Sequence, residues 1–357
     1  MDILIPPAAK KCKTTALDED TFGIKAILSD EYKTEIRLIK VHSSQLESKQ
    51  QLQIVIEELA QKLPHFQHLK RVHDSNVLIC PTADIEDTLE QHLKLHKISD
   101  KVLAALCRKV NVVEVPASWA KLRTQYEQMI RYWPCKFHPD KYAESLHNGS
   151  NFTASQRVYH KRMAHLLRNL SKDVCDGQPV GICVDPRQPS IVAIAAAGNS
   201  SGSSSHQHCV MWLVDHVARS QRGGAWPSPL SFVEDVGQAT RTLRGMPQTY
   251  YDYLRGHEAS RDLLCGAELP RCGEPSSVND DLQAGNLAKY GPYLCTGYDV
   301  YLLREPCLMC AMALVHSRVR RIFFLELSRN GALASTFQLH AVKELNHHYE
   351  VFQFTTA

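Results

Sequence analysis

The sequence has 357 residues, of which 44% are hydrophobic and 22% are charged, with a formal net charge of +3. This composition excludes wholesale disorder, and the length favours two domains over one. The start of the chain has prolines where a signal peptide needs an apolar run, and no later segment offers 18 uninterrupted apolar residues. We therefore expect an intracellular protein of the nucleus or cytoplasm, with no membrane association and with reduced cysteines.

The first third of the chain alternates strand and helix patterns. After a predicted flexible tail over residues 1–20, the expected elements are a strand at Thr34–Ser43, a helix at Ser48–Pro64, a strand at Asn76–Cys80, helices between Ile85 and Val110, a strand at Asn111–Ala117 and a helix from Ser118 to Trp133. This order predicts an α+β domain of the split βαβ, ferredoxin-like kind over residues 21–134. Residues 135–150 are expected to form a linker.

The second part of the chain, residues 151–357, also alternates helices and strands. The expected elements are a helix at Thr153–Val174, strands at Pro179–Asp185 and Ile191–Ala197, a helix at His208–Arg219, a strand at Asp299–Leu303, a helix at Cys307–His316 and strands at Arg321–Leu327 and Tyr349–Phe354. Residues 220–292 are rich in Gly, Pro, Ser and charge, so we expect them to be a partly disordered insertion in an α/β domain.

The charge is unevenly distributed along the chain. Residues 101–172 carry thirteen Lys/Arg and four Asp/Glu, which leaves the rest of the chain net acidic. A basic block in an otherwise acidic protein indicates a surface that binds a polyanion. Ordinary helices with solvated lysines would give the same pattern, and charge alone does not separate the two interpretations.

A C-x-x-C pair, Cys307 and Cys310, follows Pro306 at the predicted start of a helix, where both sulfurs can face one ion. Alone, such a pair also fits an ordinary buried or redox pair. Upstream, His208 opens another helix after a strand and a loop. Zinc-dependent nucleobase deaminases carry H-x-E followed by P-C-x-x-C, but here Val210 occupies the position of the glutamate.

These motifs, "HCVM" and "EPCLMC", resemble those of the cytidine and tRNA-adenosine deaminase superfamily, over residues from about 151 to the end. Within it, the chain is most similar to the non-catalytic subunit of the eukaryotic heterodimeric tRNA adenosine deaminase, whose extra domain resembles the N-terminal third, including "YWPCKFHPD". The resemblance implies a three-layer cytidine-deaminase-like fold, Zn²⁺ as cofactor, and His208, Cys307 and Cys310 as its ligands. It also implies that Asn199 contacts the flipped base. His206 is an alternative to His208 as the zinc ligand, but the "HCVM" motif at the start of the predicted helix favours His208.

The resemblance further implies a subunit that helps to make inosine at the wobble position of tRNA, with a catalytic deaminase subunit and the tRNA anticodon arm as partners. No residue of this chain is expected to be catalytic, because Val210 cannot carry a proton. Asp215 lies about 10 Å along its helix from His208, too far to substitute. Glu305 is expected to be structural or to support a ligand.

The candidate phosphate contacts lie in the basic helices and in the segment "SRVRR". They are Lys121, Arg123, Arg131, Arg157, Lys161, Arg162, Arg168, Lys172, Arg318, Arg320 and Arg321. Two other functions are compatible with the sequence: a self-sufficient nucleoside or nucleic-acid deaminase with an unconventional acid/base, and an interaction protein stapled by zinc.

Overall fold

The computed structural model describes residues 22–33, 35–46, 49–197, 206–234, 240–268 and 294–356. Contacts divide the chain into two compact units, residues 28–151 and, as the larger unit, residues 152–357 together with the N-terminal residues up to Ile27. Within the described ranges, no helix is both long enough and apolar enough to cross a bilayer.

The bounds of the helices and strands are as follows. The helices are α1 (Lys49–Lys62), α2 (Leu89–Leu95), α3 (Asp100–Leu106), α4 (Arg123–Met129), α5 (Lys141–His147), α6 (Ala154–Asp173), α7 (Cys209–Ser220), α8 (Gln248–Gly256) and α9 (Leu308–His316). The strands are β1 (Phe22–Ala26), β2 (Leu38–Gln45), β3 (Val72–His73), β4 (Asn76–Pro81), β5 (Val110–Pro116), β6 (Val180–Asp185), β7 (Ser190–Ala196), β8 (Arg241–Thr242), β9 (Leu264–Cys265), β10 (Ala267–Glu268), β11 (Asp299–Arg304), β12 (Arg321–Glu326) and β13 (Glu350–Thr356).

The larger unit is built on a seven-stranded mixed sheet in the order β1-β13-β12-β11-β6-β7-β9. Strands β11, β12 and β13 run parallel, with α9 connecting β11 to β12, whereas β6 and β7 form an antiparallel pair. Strands β11 and β12 are buried on both faces over most of their length, which explains their nearly continuous apolar sequences.

Alternate residues of this sheet point to opposite faces and pack against different helices. On one face, Tyr301, Phe323 and Phe352 stack at ring distances of 4.8 and 4.9 Å, and His160 of α6 stacks on Phe323 at 4.4 Å. On the other face, apolar side chains of the strands form one core with α7 and α9, which also contact each other. The large sheet thus holds the N-termini of α7 and α9 in place.

The smaller unit has a four-stranded antiparallel sheet in the order β3-β4-β2-β5. Its helices and strands follow in the order β2, α1, β3, β4, α2, α3, β5, α4, α5. Leu59 of α1, Leu93 of α2 and Val102 of α3 pack with Val77 and Ile79 of β4 in one apolar core. The unit is therefore a mixed α/β body with its own core.

Three boundaries differ from the sequence-based expectations. Phe22–Ala26 pairs with β13 in the larger sheet, although residues 21–134 were expected to form one domain. The expected linker contains α5, because Asp140 caps it by accepting hydrogen bonds from two backbone N–H groups. The helix expected from Ser118 begins only at Arg123, because Gln125 accepts the preceding N–H groups with its side chain.

The expected insertion is folded in the part that the structure describes. Within residues 220–268, the described residues form α8 and three short strands, and β9 pairs with β7 at the edge of the large sheet. Side chains such as Met246, Leu254 and Ala267 are buried. This part of the insertion is folded because it covers the sheet edge with apolar residues, whereas residues 235–239 and 269–293 lie outside the described ranges.

Candidate metal centre

Three side chains meet where α7 and α9 begin. His208 is the N-cap residue of α7, Cys307 is the N-cap residue of α9, and Cys310 lies one turn further along α9. Neither N-cap side chain caps its own helix, so both remain available to a ligand. His208 Nδ1 lies 3.5 Å from the Sγ atoms of both cysteines.

This geometry fits a zinc ion. With bonds of about 2.3 Å to sulfur and about 2.0 Å to nitrogen, tetrahedral zinc places its nitrogen and sulfur ligands about 3.5 Å apart. One Nδ1 lone pair cannot satisfy two thiols by ordinary hydrogen bonding, whereas a cation would satisfy all three groups. Burial, followed by repulsion from Cys307, raises the pKa of the Cys310 thiol, so a second thiolate there requires a nearby positive charge.

Other candidate ligands are not part of the cluster. His206 lies beside the Trp226 ring, with 6.3 Å between ring centroids. Among the described residues, the group able to hold a metal contains His208, Cys307 and Cys310 and no carboxylate. Three protein ligands rather than four are typical of an open zinc site. Asn199 lies outside the described residues.

The position of the deaminase glutamate is filled by an apolar side chain. Val210 is buried with only 4% of its surface exposed, and it belongs to the core shared by α7, α9 and the sheet. An isopropyl group has no proton to donate or accept, so the cluster lacks an acid/base at this place.

Glu305, two residues before Cys307, is buried and its carboxylate is saturated with hydrogen bonds. One oxygen accepts the backbone N–H groups of Leu333, Ala334 and Ser335 at 2.9, 2.6 and 3.0 Å. The other accepts Ser328 N–H at 3.2 Å and the Ser335 hydroxyl. Burial would raise the pKa of Glu305, but the hydrogen bonds from Ser335 and the backbone outweigh it and lower that pKa. The carboxylate is held anionic and is not free to shuttle protons.

Asp215 of α7 is engaged in a similar way. It is buried, and it accepts hydrogen bonds from Arg219 Nε at 3.0 Å and from the backbone N–H groups of Ala225 and Trp226 at 2.5 and 3.3 Å. These contacts fix the turn after α7 onto the helix. Asp215 is thus occupied as well as distant from the cluster.

The predicted phosphate contacts are mostly on the surface of their own units. The exposed ones are Arg123, Arg131, Arg157, Arg168, Lys172, Arg318 and Arg320, and the partly buried ones are Lys121, Lys161 and Arg162. Arg162 is bound to Asp262 and to the Ala259 carbonyl oxygen, so its guanidinium is already engaged.

The prediction of Arg321 as a phosphate contact is wrong. Arg321 is buried, and its guanidinium donates to both carboxylate oxygens of Asp299 at 2.8 and 2.5 Å. The parallel register of β11 and β12 places these two residues opposite each other, which forms the ion pair inside the unit.

Several known proteins are similar in sequence to this chain. The chain is 30% identical to "Probable inactive tRNA-specific adenosine deaminase-like protein 3" of Danio rerio, over 97% of this chain and 96% of that protein. It is 59% identical to "tRNA-specific adenosine deaminase TAD3" of Arabidopsis thaliana over 124 residues, 34% of this chain and 31% of that one. No protein-family model matches.

Among solved structures, one comes from work on A-to-I editing by tRNA:A34 deaminases at the wobble position of transfer RNA. The structural alignment covers 56% of this chain and 99% of the solved chain, with 12% sequence identity and a TM-score of 0.28.

Proposed function

The chain belongs to the family of "Probable inactive tRNA-specific adenosine deaminase-like protein 3", and we propose that it is a zinc-binding, catalytically silent subunit of a tRNA adenosine deaminase. The relative aligned over nearly the whole chain confirms the resemblance drawn from the "HCVM" and "EPCLMC" motifs. The single observation that carries the proposal is the His208, Cys307 and Cys310 cluster with Val210 in the glutamate's place.

In this proposal the chain keeps the metal and leaves proton transfer to a partner. A bound zinc ion supplies Lewis acidity and stabilises thiolates, but nucleobase deamination also needs a carboxylate that moves a proton. Val210 has none, Glu305 is occupied by its hydrogen bonds, and Asp215 is both occupied and distant from the cluster. His208 and the two cysteines instead join the starts of α7 and α9.

The finer fold assignments belong to the same proposal. The larger unit, with α6 on one sheet face and α7 and α9 on the other, is consistent with a three-layer cytidine-deaminase-like domain. The strand order β3-β4-β2-β5 of the smaller unit supports a split βαβ, ferredoxin-like domain, and we propose that this unit contacts RNA.

The exposed arginines offer phosphate contacts for the tRNA anticodon arm, at which the wobble base would be converted to inosine. Arg318 and Arg320 follow α9 on the same unit as the metal cluster. Replacing both with glutamate should weaken tRNA binding and flatten its dependence on salt by roughly one unit of slope per lost contact. Arg261→Glu serves as the control, because Arg261 is also exposed on this unit but pairs with Glu258 and is not among the predicted phosphate contacts.

The decisive experiment measures inosine formation on a tRNA anticodon stem by the isolated chain, by a catalytic deaminase subunit alone, and by the two together. We expect activity only from the pair, lost when the partner's glutamate is replaced. Activity of the isolated chain would instead establish a self-sufficient deaminase. A chain that holds zinc but leaves activity and tRNA binding of the partner unchanged would be a zinc-stapled interaction protein.

A further inference from the structure

We propose that Glu305 is a positioning residue for the metal centre, which fixes the backbone of Cys307 by clamping it to the loop that follows β12. The inference rests on the proposed zinc site. It assigns to this buried carboxylate a role in metal affinity and ligand geometry that is separate from any part in proton transfer.

Most of the hydrogen bonds that the Glu305 carboxylate accepts come from the backbone of one loop. Four of the five hydrogen bonds to the Glu305 carboxylate come from backbone N–H groups of residues 328–335, and the fifth comes from the Ser335 hydroxyl. Backbone donors cannot rotate away as a side chain can, so they fix the carboxylate and the loop relative to each other. Charge-assisted hydrogen bonds of this kind are the stronger class.

The same loop touches the ligand-bearing turn at a second place. Cys307 and Gly331 form an isolated antiparallel bridge, and Ala332 N–H donates to the Pro306 carbonyl oxygen at 2.9 Å. The turn is therefore held to the loop both through the Glu305 side chain and through the backbone around Cys307. Any displacement of the loop is transmitted to the cysteine by direct contact.

At Gly331 the loop backbone packs directly against the Glu305 carboxylate. A Cβ atom added at Gly331 would overlap the Glu305 carboxylate, and the residue is buried. Glycine is required here because of space, since the loop backbone passes directly against the carboxylate. This close passage is what allows the loop to reach the carboxylate with four N–H groups and Cys307 with its backbone.

Glu305→Gln tests the clamp with little change in size. The amide nitrogen would place its own hydrogens against the donors that one carboxylate oxygen now accepts, so the loop must shift. We expect the zinc dissociation constant of the full chain, measured by competition with a chromophoric chelator, to rise about 10- to 100-fold, as for other residues that orient metal ligands. The d–d absorption of the Co²⁺-substituted protein should also change, because Cys307 is displaced.

Glu326→Gln is the matched control. Glu326 ends the neighbouring strand, and its exposed carboxylate pairs with Arg304 at 3.2 Å rather than with the loop. The Glu326→Gln substitution removes the same charge as Glu305→Gln, and it should leave both the zinc affinity and the cobalt spectrum unchanged. Ser335→Ala removes one donor and should weaken zinc binding less than Glu305→Gln does.

Wild-type zinc affinity and cobalt spectra in folded Glu305→Gln and Ser335→Ala proteins would overturn the inference. If Glu305→Gln does not fold, Ser335→Ala decides, because four of the five hydrogen bonds remain in it. A wild-type chain that takes up no zinc would refute the proposed zinc site instead, so the two failures are distinguishable.

Discussion

The carboxylates of Glu305 and Asp215 perform the same structural task in two regions of the larger unit, yet only one of them is tied to the cluster of His208, Cys307 and Cys310. Glu305 lies just after β11 and fixes the loop at residues 328–335, whereas Asp215 lies within α7 and fixes the turn at Ala225 and Trp226. Both accept backbone N–H groups, and both are buried.

The difference lies in what the clamped segment touches. The loop held by Glu305 pairs with the backbone of Cys307, which belongs to the cluster with His208 and Cys310. The described hydrogen bonds of Asp215 end at Arg219 and at the turn after α7. A buried carboxylate near a metal site is therefore not in itself an acid/base or a ligand support, and its role follows from the segment that it holds.

The largest expected effect comes from removing one of the three residues of the cluster. In Cys310→Ala, the buried sulfur is lost, and we expect the zinc content, measured by atomic emission, to fall to near zero. When the free zinc concentration is about 1,000 times the dissociation constant, zinc binding adds about 4 kcal/mol to the free energy of unfolding. The variant should melt at a lower temperature than the wild-type protein, and chelator should no longer change its melting.

Cys209→Ala is the control for this loss. Cys209 is also buried and directly follows His208, but its thiol donates to the Ala195 carbonyl oxygen rather than joining the cluster. It should keep its zinc and its response to chelator. Full zinc retention in Cys310→Ala would show that the ligands were assigned wrongly and would remove the basis for comparing the two carboxylates.

A smaller effect separates the two clamps directly. In Asp215→Asn, the side chain keeps one acceptor but loses its charge beside Arg219, so the free energy of unfolding should fall by about 1–3 kcal/mol. The zinc dissociation constant should stay at its wild-type value, in contrast to Glu305→Gln. Chemical denaturation and chelator competition on the same samples check both statements. Equal losses of zinc affinity in the two variants would mean that general destabilisation explains both.

Much of the larger unit could be predicted from its sequence because local patterns determine it. The helix expected at Thr153–Val174 is confirmed, since Thr153 and Gln156 form a reciprocal cap at its start. The structure brings together the three residues of the expected cluster, because each stands at the start of a helix behind a strand of the sheet. Periodicity, caps and motif spacing are all readable within a short window.

Contacts between distant segments could not be predicted in the same way. Nothing near Glu305 in the sequence indicates that residues 328–335 supply its donors, and nothing near Arg321 indicates that Asp299 buries it in an ion pair. Likewise, Phe22–Ala26 joins a sheet whose neighbouring strand is more than 300 residues later. Strand register and loop closure depend on the whole fold, so composition and local pattern do not contain them.

The smallest expected effect is a pH dependence of the unfolding free energy that comes from His216 of α7. His216 of α7 is buried and bonded through Nδ1 to the Ile194 carbonyl oxygen, and burial lowers its pKa to about 4. The unfolded chain therefore binds a proton at this residue between about pH 6.5 and pH 4 while the folded chain does not, so stability falls as the pH falls through that window. For one such histidine the loss between pH 7 and pH 6 is about 0.7 kcal/mol. His216→Phe should reduce the pH dependence of the unfolding free energy by that amount, measured by chemical denaturation at saturating zinc. An unchanged pH dependence in His216→Phe would contradict a buried neutral imidazole at this position and would assign the loss of stability to other groups.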